Sequence, residues 1–518
     1  MNANRISRIL TSCLSAGVLL CILSCCSRTK MDESAFIFNT SNIDGQETDY
    51  ARPAIITGHI TNRDVYPDKT DIQLKIPFFD RVAETQSSVI YDDSFSFTLT
   101  PYALRTVSIP PFIDFLVIAP GDSIHVEIDF RDLSTVTFSG RGAENNEKYN
   151  RFHMGYYLEY VWPGYSNYEQ DSDGNLIRAY PHVDSFVKAV RHQRAYHRGR
   201  LEAFLKEEQP SPELEALCRR EIETDYFNAL LSNLTLYHGQ QREDISPYFQ
   251  LEEVEPLFDD ECINDNLFDL TKSVRNWLYR GVVDEEEAHR LLEKLPARLN
   301  FLKKASKNEQ LSQMLVASVY SDFLESNEVE RFEEHFDYFD KNVRNPLLKL
   351  SVRDKYAFRK NYQENPRLLS DAILKADEPG DRQQVGIQKN EGLQFLRSVI
   401  AREERKVLYI CIGATWCIGT TMMAPHQAEL AADYQGQPLR IANFLLDMGG
   451  DINALTPGIE NYHITAEQRF GLDTILHLGI IPYFILVDKD GVIVDFGPHL
   501  LPDLPETREK IDRCLASE

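Results

Sequence analysis

The chain is poor in cysteine and has no two cysteines at a working distance from each other. Nine occur in 518 residues, and none forms a CxxC pair or a zinc-ligand spacing. That excludes a disulfide-stapled mini-domain and a zinc module. A chain of this length buries an ample core without staples. Basic residues are also scarce, and the formal charge is −25. Nucleic acid rewards basic surfaces and anionic bilayers reward polybasic segments, so neither is an expected partner. The simplest reading is a solvated acidic surface. Long apolar runs are missing too, apart from Ile9 to Leu23, which is short for a membrane span. No repeat of fixed period is present.

The one apolar run is informative. Arg5 and Arg8 precede it and Ser24-Cys25-Cys26 ends it, which is the layout of a secretory signal over 1–25. Leu23-Ser24-Cys25-Cys26 resembles a bacterial lipoprotein cleavage box, whose cysteine becomes the lipidated first residue. Cys26 is favoured, because Leu23 and Ser24 then fall three and two residues before it. Cys25 is the alternative, and an ordinary secretory signal with incidental cysteines is the blander one. Lipidation implies a protein anchored to a bacterial membrane, in the periplasm or facing the exterior. Losing Arg5 and Arg8 with the signal makes the mature chain more acidic still. Cys218, Cys262, Cys411, Cys417 and Cys514 remain for the folded part.

Three textures follow a polar tether over 26–52. From 53 to 140 the pattern is β. Ile72-Gln73-Leu74-Lys75-Ile76, Phe95-Ser96-Phe97-Thr98-Leu99 and Ile124-His125-Val126-Glu127-Ile128 alternate with period two, and turns such as Pro120-Gly121-Asp122 separate them. Short alternating strands predict a small sandwich or barrel. From 145 to 377 the spacing is helical, with Pro212 early in one helix and further helices over Glu285 to Leu302 and Leu311 to Leu324. His192 and His197 are read as surface residues, since five apart is not a metal-binding helical spacing. The Glu, Arg and Tyr residues here read as solvated helix faces. From 378 to 518 the texture alternates between strands and helices. Strands are expected at 407–413, 439–446 and 483–487, with a hairpin across Asp490-Gly491. The fold class expected is multidomain α+β.

At the end of the apolar run Val407 to Ile412 stands Ala414-Thr415-Trp416-Cys417. This stretch is similar to the motif of thioredoxin-like proteins of the TlpA/ResA type. Gly479-Ile480-Ile481-Pro482-Tyr483-Phe484 resembles the second landmark of that family. The layout also resembles anchored thiol:disulfide interchange proteins with a small N-terminal β-domain. The resemblance implies a thioredoxin-like α/β fold for 378–518. It also implies a cis Ile481–Pro482 bond whose backbone lies beside a reactive Cys417, with Trp416 flanking the site. Two departures stand out. The family's second cysteine is replaced by Thr420, behind Ile418-Gly419. The buried acid of thioredoxins proper falls at Cys411.

A cysteine at a helix start meets free N–H groups and the positive end of the dipole, which commonly lowers its pKa. Thr420 is expected to donate its hydroxyl to that sulfur. Cys417 could then form a mixed disulfide, but Thr420 supplies no resolving thiol. Cys411 and Cys514 read as core, since free cysteine is often a small buried hydrophobe. His426, His463 and His499 read as loop or surface residues without obvious partners. Two readings remain open. One is an enzyme acting through one thiol on envelope proteins with thiols or disulfides, with an external thiol reductant completing the cycle. The other is a non-catalytic binding or scaffold lipoprotein. A peroxidase is disfavoured, because Ala414 stands where peroxidatic relatives place Thr or Ser. No cofactor and no metal are expected.

Overall fold

The structure is a computed structural model. It describes residues 53–517 apart from short stretches, the longest being 280–293, 368–390 and 447–458. The signal, Cys26, the tether, Cys262 and the front of the helix expected at Glu285 lie outside the described residues. The described part is mixed α and β, with helices and several sheets.

Eight strands come first: β1 (Ala54–Thr61), β2 (Asp71–Pro77), β3 (Ala83–Val89), β4 (Ser94–Leu99), β5 (Arg105–Ile109), β6 (Ile113–Ile118), β7 (Ser123–Asp129) and β8 (Thr137–Arg141). They form two four-stranded sheets, β4-β1-β7-β8 and β3-β2-β5-β6. Period-two burial puts Ile56, Phe97 and Val126 of one sheet against Leu74, Val107 and Leu116 of the other in one cluster. Two facing sheets make this a sandwich rather than a barrel. Gly58 lies opposite Phe95 in the β1–β4 register. A Cβ on Gly58 would fall 2.0 Å from the Phe95 ring, so the glycine gives the ring its place.

Nine helices follow among the described residues: α1 (Ala143–Tyr157), α2 (Val183–Glu208), α3 (Pro212–Asn233), α4 (Asp265–Trp277), α5 (Leu295–Ala305), α6 (Glu309–Glu325), α7 (Val329–Glu334), α8 (Phe336–Asn342) and α9 (Pro346–Glu364). A short hairpin, β9 (Tyr168–Gln170) with β10 (Leu176–Arg178), interrupts the expected all-helical region. Asn146 of α1 seals the open edge of β6. Its Oδ1 accepts from Val117 N at 2.8 Å and its Nδ2 donates to Val117 O at 2.7 Å. An edge strand needs such cover. α3 starts on Ser211, whose Oγ accepts from Leu214 N at 3.2 Å, with Pro212 at the first helical position. α6 is buried nearly all round, through Leu311, Met314, Leu315, Val319 and Tyr320. His192 is exposed, but His197 is not a surface residue. It packs beside Trp162, and burial pushes its imidazole down to about 4.

The C-terminal sheet has the order β13-β12-β11-β14-β15. Its strands are β11 (Val407–Gly413), β12 (Leu439–Leu445), β13 (Glu460–His463), β14 (Tyr483–Val487) and β15 (Ile493–Gly497). β11, β12 and β13 run parallel, and β14 and β15 join antiparallel. Helices α10 (Glu391–Arg402), α11 (Ile418–Asp433) and α12 (Pro505–Ala516) accompany it. Both faces are covered, so β11 reads as an unbroken apolar run. Leu408, Ile410 and Ile412 face α10, with Leu393, Leu396 and Val399. Val407, Tyr409 and Cys411 face the other layer, with Leu430 of α11 and Ile511 and Cys514 of α12. The succession β11-α11-β12, then β14-β15 and α12, follows the order the resemblance implies, and β13 is an addition to it.

The helical and C-terminal parts share a helix. Leu348, Val352 and Tyr356 of α9 belong to the helical core. Within the next two turns Phe358 and Tyr362 join the C-terminal core. Arg359 donates to Phe496 O at 3.0 Å and Tyr362 OH to Ile493 O at 2.8 Å. His499, expected to lack partners, lies within hydrogen-bond distance of Asp495 Oδ2 and of Glu325 O, each at 3.1 Å.

Candidate functional site

Cys417 is the capping residue of α11. Its backbone is extended, with φ −83° and ψ 117°, and its carbonyl accepts the first helical bond, from Thr421 N at 3.0 Å. The Cys417 side chain makes no capping hydrogen bond of its own. The first N–H groups of a helix have no intrahelical acceptor, and the positive end of the dipole lies here. The strand ahead dictates this position. β11 ends at Gly413, and Cys417 N bonds Ala414 O at 3.0 Å across one tight turn.

Opposite the turn lies the segment leading into β14. The Ile481–Pro482 peptide is cis, as the resemblance implies. The Cys417 thiol donates to Ile481 O at 3.5 Å. Gly419 lets the two segments close. A Cβ there would lie 2.8 Å from Pro482 Cδ and 3.8 Å from Cys417 Sγ. Cys417, Gly419, Ile481 and Pro482 thus form one site, half open to solvent at Cys417. Gly419 is the member that reading the sequence passed over. Its signal is the lack of a side chain where the helix must meet Pro482. Trp416 lies outside the described residues.

Thr420 behaves differently from expectation. It is buried, and its Oγ1 accepts from Ala414 N at 3.3 Å instead of donating to the Cys417 sulfur. Its side chain fills the space above Gly413, where a Cβ would fall 2.5 Å from Oγ1. The hydroxyl points back toward the end of β11 because that backbone N–H needs an acceptor.

The other described cysteines are buried. Cys411 is buried, and burial pushes its thiol up to about 12, while a hydrogen bond with Gln427 pulls the other way. Gln427 Nε2 donates to Asn443 Oδ1 at 3.0 Å, and Asn443 Nδ2 to Asn461 Oδ1 at 2.8 Å. Where thioredoxins proper have an acid, this chain has a thiol at the head of a neutral amide chain. Burial also pushes Cys514 up to about 11 and raises Cys218. All four described cysteines are free thiols. His426 faces Glu429 at 3.4 Å on the exposed side of α11. Among the described residues no group of three or more His, Cys, Asp or Glu is arranged to hold a metal ion. No described helix is long and apolar enough to cross a membrane.

No protein-family model matches the chain, and no curated protein does. Several solved structures resemble part of it. A candidate thiol-disulfide oxidoreductase from Bacteroides vulgatus is 26% identical, over 22% of this chain and 82% of its own, with a TM-score of 0.20. A candidate thiol:disulfide interchange protein DsbE from Chlorobium tepidum is 17% identical, over 23% of this chain and 85% of its own, also at 0.20. A thioredoxin-like protein from Bacteroides caccae is 13% identical but spans 57% of this chain and 94% of its own, at 0.21. At such scores the functional reading rests on the geometry of the site.

Proposed function

We propose that this chain exchanges disulfides with partner proteins of the bacterial cell envelope through the single thiol of Cys417, held at a membrane by a lipid on Cys26. One observation carries the chemistry. Cys417 sits at a helix start that its own side chain does not cap, half-buried, with its sulfur on the carbonyl just ahead of Pro482. An incoming disulfide meets the sulfur from the open side. The Cys417 thiolate attacks one partner sulfur, the partner's S–S bond breaks, and the other partner sulfur leaves as a thiolate. The product is a mixed disulfide, and no electrons have been gained or lost.

Thr420 cannot resolve that intermediate, and Cys411 is buried with a thiol that stays protonated at neutral pH. Resolution comes from outside in one of two ways. The released partner thiolate can attack elsewhere in its own chain, and its return displaces Cys417 as an isomerase would. Alternatively two external thiols act. The first displaces one half of the mixed disulfide, the second completes the exchange, and partner dithiol plus oxidised external disulfide result. The test is trapping of mixed disulfides on non-reducing gels. Adducts that depend on Cys417 and disappear in Cys417→Ser support the proposal. Adducts that persist in Cys417→Ser, or their complete absence, overturn it.

A non-catalytic scaffold is the second reading, and Thr420 in place of the resolving thiol is the observation that favours it. Under that reading Cys417→Ser leaves every cellular role of the protein intact.

A further inference from the structure

A second site lies far from Cys417 in sequence, on the helical region. Arg191, Arg194 and Arg198 fall at helical spacing on one face of α2. Together with Ala195, Tyr226 of α3 and Glu253 they line an open cavity of about 540 Å³, a size suited to a small organic molecule. We infer that this cleft binds a small molecule through a carboxylate or phosphate group.

The cleft is held in shape. Arg194 lies over the Tyr226 ring at 4.1 Å and over Phe227 at 5.2 Å. Its Nε donates to Glu223 Oε2 at 2.9 Å, and its Nη2 reaches the same oxygen. Arg198 Nε donates to Glu223 Oε1 at 2.6 Å. One carboxylate therefore orders two guanidinium groups. Arg191 Nη2 makes only a long contact with Tyr248 O, at 3.4 Å. Glu253 lines the cleft as well, and one of its oxygens, Oε1, accepts from Gln250 N at 3.0 Å in a capping turn.

The donor count decides what such a cleft takes. A guanidinium carries five N–H donors in a fixed fork. Arg198 spends only Nε on the described protein, and Arg194 leaves Nη1 unspent. Arg191 leaves Nε and Nη1. Three positive groups face two carboxylates, in a chain whose overall balance is −25. Forked donors of this kind match the oxygens of carboxylate and phosphate. Among the described residues lining the cleft the only hydroxyl is that of the buried Tyr226, and there is no cysteine or histidine, so the inference is of binding, with no covalent step. This inference does not depend on the chemistry of Cys417.

Calorimetric titration of the purified full chain with inorganic phosphate and with succinate tests it, at constant ionic strength so that screening is equal. Saturable binding of at least one probe is expected, and whichever binds more tightly tells phosphate from carboxylate. Arg191→Gln with Arg198→Gln should weaken it about tenfold or more. Both side chains are solvent-accessible, and the melting temperature checks that the fold survives. Arg191→Lys with Arg198→Lys keeps the charge and loses the fork, and should weaken binding less. Failure of both probes to saturate overturns the inference. So does unchanged affinity in the glutamine double variant.

Discussion

Strand β11 and the turn that follows it each hold a cysteine, six residues apart, and the two have opposite lives. Cys411 lies at the centre of a five-stranded sheet covered on both faces. Its thiol is pushed up to about 12 by that burial. Cys417 lies where the chain leaves the sheet and starts a helix, half exposed and touching the Ile481 carbonyl. The residue type is the same. What differs is which backbone groups each sulfur meets and whether water reaches it. The reactivity proposed for Cys417 rests on its address in the fold.

The sharpest way to break this comparison is thiol labelling of the native protein at pH 8, read peptide by peptide. Cys417 should label and Cys411 should not. A thiol with a pKa near 12 is ionised to about one part in 10⁴ at that pH, and the packing of β11 adds a steric barrier. Labelling of Cys411 at the rate of Cys417 would erase the distinction.

Thr420→Cys sharpens it from the other side. The new thiol stands three residues along the helix, buried under Gly413, where the resemblance places the resolving cysteine. Mild oxidation should then remove two free thiols per chain and leave the wild type unchanged, as a thiol titration would show. If both thiols stay free, the turn does not hold the two sulfurs in bonding range.

The buried groups give a pH dependence. Cys411 has its folded value, about 12, above its ordinary 9.0. Tyr409 and Tyr483 are likewise raised by burial above 10.0. Between the unfolded and folded values the folded state holds more protons, so stability falls as pH rises. Their contribution is complete below about pH 9 and is lost progressively above it. Chemical denaturation at pH 7 and pH 10.5 should show lower stability at the higher value. An equal midpoint at both would contradict the burial of this layer.

Two smaller effects separate the positions further. Gly419→Ala forces a Cβ to 2.8 Å from Pro482 Cδ. It should cost roughly 1–3 kcal/mol, as overpacking does, and slow Cys417 labelling. Cys411→Ser buries a hydroxyl in place of a thiol at a cost of about 1 kcal/mol or somewhat more. It should leave Cys417 labelling unchanged, and a changed rate would show that the two sulfurs are coupled through the turn.

Elements covered on both faces were the legible ones. β11 and β14 match the expected strands end to end, because both layers of packing leave only apolar residues. The Asp490-Gly491 hairpin and the helix start at Cys417 were also plain, since each has a local cause. Edge elements were not. β3, Ala-Glu-Thr-Gln-Ser-Ser-Val, and β13, Glu-Asn-Tyr-His, lie at sheet edges, so solvent permits polar residues and blunts the alternation. α9 falls inside the expected helical region, yet its last turns complete the core of the next one. The arginines of α2 read as a solvated face, since nothing local marks Glu223 and Tyr226 of another helix as their partners.

The sequence by itself determined the doubly covered strands and the helix that follows β11, the single cysteine at the head of α11, and the threonine rather than cysteine at position 420. Those follow from local patterning and from residue identity. Only the tertiary structure decided that Thr420 turns its oxygen to Ala414 N, that Gly419 makes room for Pro482, and that three arginines share one cleft. Each depends on segments far apart in the chain arriving within a few ångströms, and local sequence carries no record of that distance.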